Sequence, residues 1–239
     1  MRELSSGLNK NKKKALVLCS SGLDSLYNLL RAKKDFSDVM VAFIDYDQKA
    51  SPQEYLHVKR ICTALKVNFI KMDMPWYRTL FSTLIDRSKP ILNFSTLGAV
   101  PLTGKPSEWV PNRNAVFVNS AAAVAESGGF DTIIVGINKE EAERYPDNSK
   151  EFLEKANDLL RISTLTAPRL MSYSADMIKP RIFAEVLPLM EEFGLGKEYI
   201  WSCYDSYEKM CGVCESCLRL KRAIKENKKE NEWQDLFLK

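Results

Sequence analysis

The chain has 239 residues, 45% of them hydrophobic, and its 35 basic side chains stand against 31 acidic ones. That length suits one domain with a single sizeable core. No stretch approaches the roughly 20 apolar residues of a membrane helix, and residues 1–14 lack the apolar segment of a signal peptide. We therefore expect no membrane partner and a location in the cytoplasm.

Much of the basic excess lies in two runs near the ends of the chain. Such runs can contact nucleic acid, but they are more often solvated tails, so we do not expect a nucleic-acid partner. The sequence thus predicts a basic tail over residues 1–13, one α/β domain over 14–222 and a charged tail over 223–239. The lysines concerned are Lys10, Lys12, Lys13, Lys14, Lys225, Lys228 and Lys229.

The first part of the domain alternates apolar runs with segments of helical periodicity. Runs at 14–19, 39–45 and 68–72 predict strands, while 24–33 and a segment opened by Pro52 predict helices. This alternation is typical of strand–helix–strand units. It predicts a doubly wound, mainly parallel α/β sheet with helices on both faces, joined by right-handed crossovers.

The second part of the domain is less regular. Prolines and glycines break the pattern over 86–112, and so long an irregular segment is typical of a functional loop or lid. Beyond it we predict an alanine-rich helix at 115–127 ended by glycine, a strand at 132–135, a polar loop at 136–147, a helix at 150–160, an extended segment at 165–173 and a helix at 181–193 interrupted at Pro188.

A candidate phosphate loop, with the sequence SSGLDS at 20–25, joins the first predicted strand to the first predicted helix. Ligands of open parallel sheets bind at the carboxyl ends of strands, and a helix N-terminus offers N–H groups to an anion. Gly22 lets the backbone approach a phosphate, and Ser20 and Ser25 supply hydroxyl donors. Asp24 suits such a site if it binds a cation; otherwise the segment is an ordinary capped turn.

Four of the six cysteines, Cys203, Cys211, Cys214 and Cys217, crowd into the segment 201–219. In a reducing compartment such a cluster favours a metal over disulfides. Four thiolates close the tetrahedral shell of a structural zinc ion, which predicts a C-terminal zinc knuckle. An iron–sulfur cluster takes four cysteines as well, but the compact spacing favours zinc.

The two other cysteines and the one histidine lie in periodic apolar segments. Burial is the expected state of Cys19 and Cys62, which makes both thiols inert. The helical spacing places His57 on a helix surface, so the sequence gives no support for histidine-based acid–base catalysis.

These signals, in their order over residues 14–222, resemble the QueC family of 7-cyano-7-deazaguanine synthases. The loop at 20–25 is similar to the family's PP-loop, S-G-G-x-D-S. The other matching phrases are DYDQK at 45–49, VPNRN at 110–114, GIN at 136–138, YPD at 145–147, WSCYD at 201–205 and CGVCESC at 211–217.

The resemblance implies a PP-loop fold, similar to that of adenine nucleotide α-hydrolases, and a ligase-type enzyme. ATP would adenylate the carboxylate of 7-carboxy-7-deazaguanine, and an amine, ammonia in the first instance, would displace AMP. A second ATP-dependent round would dehydrate the amide to the nitrile preQ0, a precursor of queuosine. The resemblance also implies catalytic Mg²⁺, structural zinc and a homodimer.

The resemblance further implies roles for single residues. Asp24 and Ser25 would act in catalysis. The ATP site would comprise Cys19, Ser20, Ser21, Gly22, Leu23, Asp24, Ser25 and Gln48. The deazaguanine pocket would comprise Arg113, Asn114, Asn138, Tyr145 and Asp147, with Tyr145 stacking on the base and Asp147 accepting from its amidine edge.

The chain also departs from the family pattern. Ser21 replaces a glycine, and Ser149 stands where the family has arginine. Counted back from Trp201, the family's active-site lysine falls on Phe183. Lost cations of this kind predict a slow second round, from amide to nitrile. They leave open a divergent enzyme that joins a deazaguanine to another amine, such as a protein N-terminus in antiphage defence. A non-catalytic nucleotide- or RNA-binding module is the third possibility.

Overall fold

The computed structural model of the protein describes residues 13–91 and 108–238. Within those residues the chain forms one parallel sheet of five strands in the order β3-β2-β1-β4-β5. The predicted doubly wound α/β fold is therefore confirmed. The strands are β1 Lys14–Leu18, β2 Asp38–Asp45, β3 Asn68–Asp73, β4 Thr132–Ile134 and β5 Arg169–Met171.

Helices cover both faces of the sheet. On one face α1 and α2 pack in a core that α6 and α7 complete, while α3 and α5 pack on the other face. The helices of the described residues are α1 Leu23–Asp35, α2 Ser51–Leu65, α3 Arg113–Gly128, α4 Lys139–Ala142, α5 Lys150–Ser163, α6 Lys179–Glu192, α7 Glu215–Glu226 and α8 Glu230–Trp233.

The short strands are buried because both of their faces meet helices. In β1, Ala15 and Val17 contribute to the α1 side of the core and Leu16 to the α3 side, and all three are fully buried. Side chains of a strand alternate between faces, so a continuous apolar run suits a strand covered on both sides. This geometry places the carboxyl end of β1 at the centre of one edge of the sheet.

Two predicted elements need correction. The helix expected from residue 181 begins at Lys179 and continues through Pro188 without interruption. Its buried residues Val186, Leu189 and Met190 pack in the core, and this packing outweighs the roughly 3 kcal/mol that an internal proline costs. The polar loop expected at 136–147 contains α4 and the start of a 3₁₀ turn, Pro146–Asn148.

The C-terminal segment is not the solvated tail that its charge predicts. The expected boundary at residue 222 falls inside α7, and Trp233 is buried with its ring edge-to-face on Phe183 at 4.8 Å. Phe237 pairs with Met210 in a bridge. The apolar surface of these rings favours docking, because burying it stabilises the fold. Residues 1–12 of the expected basic tail and 92–107 of the expected lid lie outside the described residues.

His57 is buried rather than on a helix surface. Its Nδ1 atom lies 2.7 Å from the carbonyl oxygen of Gln53, and its ring lies 5.2 Å from that of Trp201. The segment that precedes the cysteine cluster covers this side of α2, which helical spacing alone does not reveal. Cys19 and Cys62 are buried as expected, and burial raises the pKa of Cys62 to about 12.

None of the helices in the described residues has the length and apolar character needed to cross a membrane.

Candidate active site at the carboxyl edge of the sheet

The order of the strands reverses between β1 and β4, and the loops that follow these two strands meet there. Nucleotide sites of doubly wound folds lie in the crevice at this point. Gly136, just after β4, makes the close approach possible. A Cβ atom at this position would lie 2.7 Å from the backbone nitrogen of Ser25 and 2.8 Å from its Cα. The glycine therefore brings the end of β4 against the first turn of α1.

We expect Gly136→Ala to displace the first turn of α1, because the added methyl group meets backbone rather than a movable side chain. Overpacking of this kind costs about 1–3 kcal/mol. The variant should melt at a lower temperature, as measured by thermal denaturation. Gly196→Ala is the matched control, because Gly196 has an ordinary backbone conformation and its Cβ would meet only the movable carboxylate end of Glu198. A wild-type melting temperature in Gly136→Ala would contradict this role.

The loop between β1 and α1 leaves the helix N-terminus free for an anion. The N-cap of α1 is Gly22, and among the described residues no side chain caps the helix. Ser25 instead holds the loop, since its Oγ accepts from the Ser20 nitrogen at 3.2 Å and donates to the Gly22 oxygen at 3.0 Å. Ser21 has a left-handed backbone with φ of +64°, which a glycine adopts without strain. An ordinary side-chain-capped turn is therefore not what this segment forms.

Asp24 lies in the first turn of α1. Its carboxylate is buried, and only one of its two oxygens has hydrogen-bond partners among the described residues. Its Oδ2 atom accepts from the Nζ of Lys179 at 2.5 Å and from the Nδ2 of Asn138 at 2.8 Å. Its Oδ1 atom is also buried, yet no group among the described residues bonds to it. A buried carboxylate oxygen without a partner is costly. The Oδ1 atom thus suits a bound cation, and one carboxylate beside substrate phosphates is a common Mg²⁺ site.

Charges around Lys179 compensate for its burial. Burial lowers the pKa of Lys179, but the carboxylates of Asp24 and Glu141 outweigh this effect and hold the pKa above its usual value. Burial also raises the pKa of Glu141, but Lys179 and Arg219 outweigh it and the pKa lies below its usual value. For Asp24, burial raises the pKa and Lys179 opposes the rise. The lysine is therefore a fixed cation at the phosphate loop.

A chain of ion pairs connects this lysine to α7. Glu141 lies 3.5 Å from the Nζ of Lys179 and 3.2 Å from the guanidinium of Arg219. Arg219 in turn lies 2.5 Å from Glu215, which also pairs with Arg144. Because α7 begins at the cysteine cluster, the cluster and the phosphate loop are joined by side chains as well as by backbone.

Counting placed the family's lysine at Phe183, but the lysine that lies at the phosphate loop is Lys179. Phe183 is fully buried in the core, so it takes no part in the site. The expected loss of this cation is therefore wrong. The sequence contained one indication that Lys179 is paired with a carboxylate. Lys179 starts a helix, and the helix dipole disfavours a cation there unless a carboxylate lies beside it.

On the β2 side, the cleft is bounded by a fixed pair of polar side chains. Gln48 donates from Nε2 to the Ile44 oxygen at 3.2 Å and to the Oε2 of Glu54 at 2.8 Å, and its own Oε1 accepts from the Tyr46 nitrogen at 2.9 Å. Burial raises the pKa of Glu54 to about 7. Gln48, predicted as an ATP ligand, thus has its amide bonded within the protein, and Glu54 is a cleft residue that the sequence reasoning missed.

Of the five predicted deazaguanine-binding residues, two line the cleft and three do not. Arg113 and Asn114, at the start of α3, line the cleft. Asp147 lies behind them, and its Oδ2 accepts from the Asn114 nitrogen at 3.2 Å. Asn138 is fully buried against Asp24, and the ring of Tyr145 stacks on Trp109 at 5.9 Å. None of these last three contributes to the cleft walls, whereas Trp201, Tyr204 and Ser216, which the sequence did not indicate, do.

The four clustered cysteines converge at the start of α7. Their Sγ atoms all lie within 4.8 Å of one another, and those of Cys211 and Cys217 are 3.9 Å apart. A tetrahedral zinc ion with Zn–S bonds of about 2.3 Å holds its sulfurs about 3.8 Å apart, so the set fits one ion. A four-iron cluster between the thiolates would need wider spacing. Backbone N–H groups of Val213 and Cys214 also point at the Cys211 sulfur.

Together these features define a doubly wound α/β protein with an anion-ready loop at its switch point and a compact four-cysteine site. The family model described as "Queuosine biosynthesis protein QueC" matches residues 14–228. The chain belongs to the QueC family, and it is an enzyme of that family.

Curated relatives match nearly the whole chain. The 7-cyano-7-deazaguanine synthase of Carboxydothermus hydrogenoformans is 40% identical over 214 residues, which cover 88% of this chain and 97% of the relative. The synthase of Bdellovibrio bacteriovorus is 37% identical, with coverage of 90% and 94%. Among solved structures, the NH3-dependent NAD synthetase of Campylobacter jejuni is 16% identical, with a TM-score of 0.41 and coverage of 95% and 77%. This remote likeness carries nothing about the chemistry of the chain.

Proposed function

We propose that the chain uses ATP to convert 7-carboxy-7-deazaguanine into 7-cyano-7-deazaguanine, with ammonia as the amine. The name of the curated relatives supports this substrate and product. The observation that carries the proposal is Asp24, whose Oδ2 atom is fixed by Lys179 while its buried Oδ1 atom has no partner among the described residues. It lies beside the uncapped N-terminus of α1.

The first step is an adenylation. A carboxylate oxygen of the acid attacks the α-phosphorus of ATP, the bond to the β-phosphate oxygen breaks, and pyrophosphate leaves with the bonding electrons. Free N–H groups in the first turn of α1 stabilise charge on the phosphates. Asp24 would hold Mg²⁺ through its Oδ1 atom, and the ion would neutralise phosphate charge. Lys179 adds a fixed cation beside Asp24.

The second step transfers the acyl group. Ammonia attacks the carbonyl carbon, the bond to the AMP oxygen breaks, and the nitrogen loses a proton to give the amide. In a second round the amide oxygen attacks another ATP, and departure of AMP with loss of protons gives the nitrile. The expectation of a slow second round rested on two missing cations, a lysine at Phe183 and an arginine at Ser149, and Ser149 caps α5 in the structure. Since Lys179 lies in the site, we expect the nitrile to be the final product.

The cysteine cluster would hold a structural zinc ion. Its four sulfurs leave no ligand position open for a substrate. None of the six cysteines, all of which are described, forms a disulfide, which suits a reducing compartment, and we propose a cytoplasmic location on that ground. No feature of the described residues favours a protein amine over ammonia as acceptor, and the likeness to synthases supports an enzyme over a non-catalytic module.

Incubation with the acid, ATP, Mg²⁺ and ammonium tests this proposal. We expect pyrophosphate and AMP by chromatography, and the nitrile by mass spectrometry, with two ATP consumed for each nitrile formed. Omission of ammonium is the control, and it should stop the reaction before the amide. Release of ADP would contradict cleavage at the α-phosphorus. Lasting accumulation of amide would show that the substitutions at Ser21 and Ser149 do impair the second round.

A further inference from the structure

The cleft has two unlike sides. On the β4 side it is lined by charged groups of the ion-pair chain, which include Asp24, Lys179 and Glu141. On the β2 side the wall is mainly apolar, with residues 42–44 and Ala50, and Glu54 is the acidic residue there among the described cleft residues. An ATP whose phosphates lie at α1 therefore finds an apolar surface for its nucleoside on the β2 side.

The carboxyl group of Glu54 is held in place through one of its two oxygens. Gln48 bonds its Oε2 atom at 2.8 Å, and Gln48 is itself fixed by two backbone groups. No described residue donates a hydrogen bond to the Oε1 atom. The other acid at the end of β2, Asp45, lies 2.9 Å from the Nζ of Lys71 and is thereby engaged. Glu54 thus offers the cleft a positioned acceptor that no ion pair neutralises among the described residues.

A positioned carboxyl oxygen requires a donor from the ligand. ATP has hydrogen-bond donors in two places, the 6-amino group at the far edge of adenine and the two ribose hydroxyls, and the hydroxyls are the donors close to the α-phosphate. In doubly wound folds, an acidic residue beyond the second strand commonly takes this role toward ribose. Glu54 lies in the first turn of α2, directly beyond β2.

We propose that Glu54 accepts a hydrogen bond from the 2′-hydroxyl of ATP and so selects ribonucleotides over 2′-deoxyribonucleotides. The inference rests on the proposed use of ATP. Gln48 acts as its positioning residue, because its amide fixes the Oε2 atom and leaves the Oε1 atom toward the ligand. The pKa of Glu54 is about 7, so its carboxylate is charged above that pH. A hydrogen bond to a charged group then contributes enough for the wild type to bind ATP about 10- to 100-fold more tightly than 2′-deoxy-ATP.

The test compares the binding of two nucleotides to two proteins, the wild type and one variant. Calorimetry gives the Kd of ATP and of 2′-deoxy-ATP, with Mg²⁺ present and the acid absent, for the wild type and for Glu54→Gln. The variant keeps the shape of the side chain, and its circular dichroism and melting curve check the fold. We expect Glu54→Gln to weaken ATP binding at least fivefold, to leave 2′-deoxy-ATP binding unchanged and so to remove most of the discrimination.

Asp45→Asn is the matched control, because it removes the other carboxylate at the end of β2. It should leave the preference for ATP intact. An equal loss of affinity for both nucleotides in Glu54→Gln would overturn the inference, and so would a wild type that binds ATP and 2′-deoxy-ATP alike; either result leaves the proposed function standing. A wild type that binds neither nucleotide would overturn both.

Discussion

Asp24→Asn is expected to lose pyrophosphate release by about a thousandfold or more in kcat/KM. Removing one preorganised charge from a transition state typically costs a factor of 10²–10³, and this substitution removes both the cation ligand and the partner of Lys179. The fold should persist, because Lys179 keeps Glu141 as a second partner at 3.5 Å. A continuous pyrophosphate assay measures the loss, and a melting curve checks the fold.

Asp35→Asn is the control for this variant. Asp35 closes the same helix, but its carboxylate is exposed and bonds the hydroxyl of Tyr173, well away from the phosphate loop. Its activity should stay within about twofold of the wild type, as surface substitutions usually do little. A second comparison uses Lys179→Met alone and combined with Asp24→Asn. Because the two residues act as a pair, the double variant should have the same catalytic rate as the less active of the two single variants. Near-normal turnover in Asp24→Asn would refute the role given to this carboxylate.

Cys217→Ser is expected to abolish metal binding and to lower the free energy of unfolding by several kcal/mol. The wild type should hold one zinc per chain, and structural zinc contributes about 10–16 kcal/mol in the smallest zinc domains. Cys217 is fully buried in α7, so without the ion its partners lose the group that holds them together. Elemental analysis measures the metal, and urea denaturation measures the stability.

Cys62→Ala provides the control, because this buried cysteine lies outside the cluster. It should keep the full zinc content and lose only about 1–2 kcal/mol for the small cavity. Iron in the purified wild type would overturn the zinc assignment, as would one zinc per chain in Cys217→Ser.

Features encoded by neighbouring residues could be predicted from the sequence. Apolar runs identified the strands, the order of Ser20, Gly22 and Asp24 identified the phosphate loop, and close spacing identified the cysteine cluster. Each of these depends on residues a few positions apart. Local patterns also predicted correctly that helices lie on both faces of the sheet, since a continuously apolar strand such as β1 has to be covered on both sides.

What the sequence could not give depends on contacts between distant segments. Counting back along the chain missed the active-site lysine by one helical turn, because Lys179 and Phe183 share a side of α6 but only the first reaches the loop. The roles of Asn138 and Glu54 depend on which strand ends meet. The charge of the C-terminal segment gave no indication that Trp233 is buried. Its ring packs edge-to-face on the ring of Phe183, which is distant in the sequence.

The bond between Asp24 and Lys179 joins positions 155 residues apart, and the backbone of Trp201 reaches back to the oxygen of Ser21. A ribosome therefore makes the phosphate loop well before the segments that supply its partners. Contacts of such long range form late, after the loop closure that they require. A nascent chain that has not reached α7 carries the loop without Arg219, which pairs with Glu141 beside Lys179, so the ion-pair chain is complete only after α7 has been made.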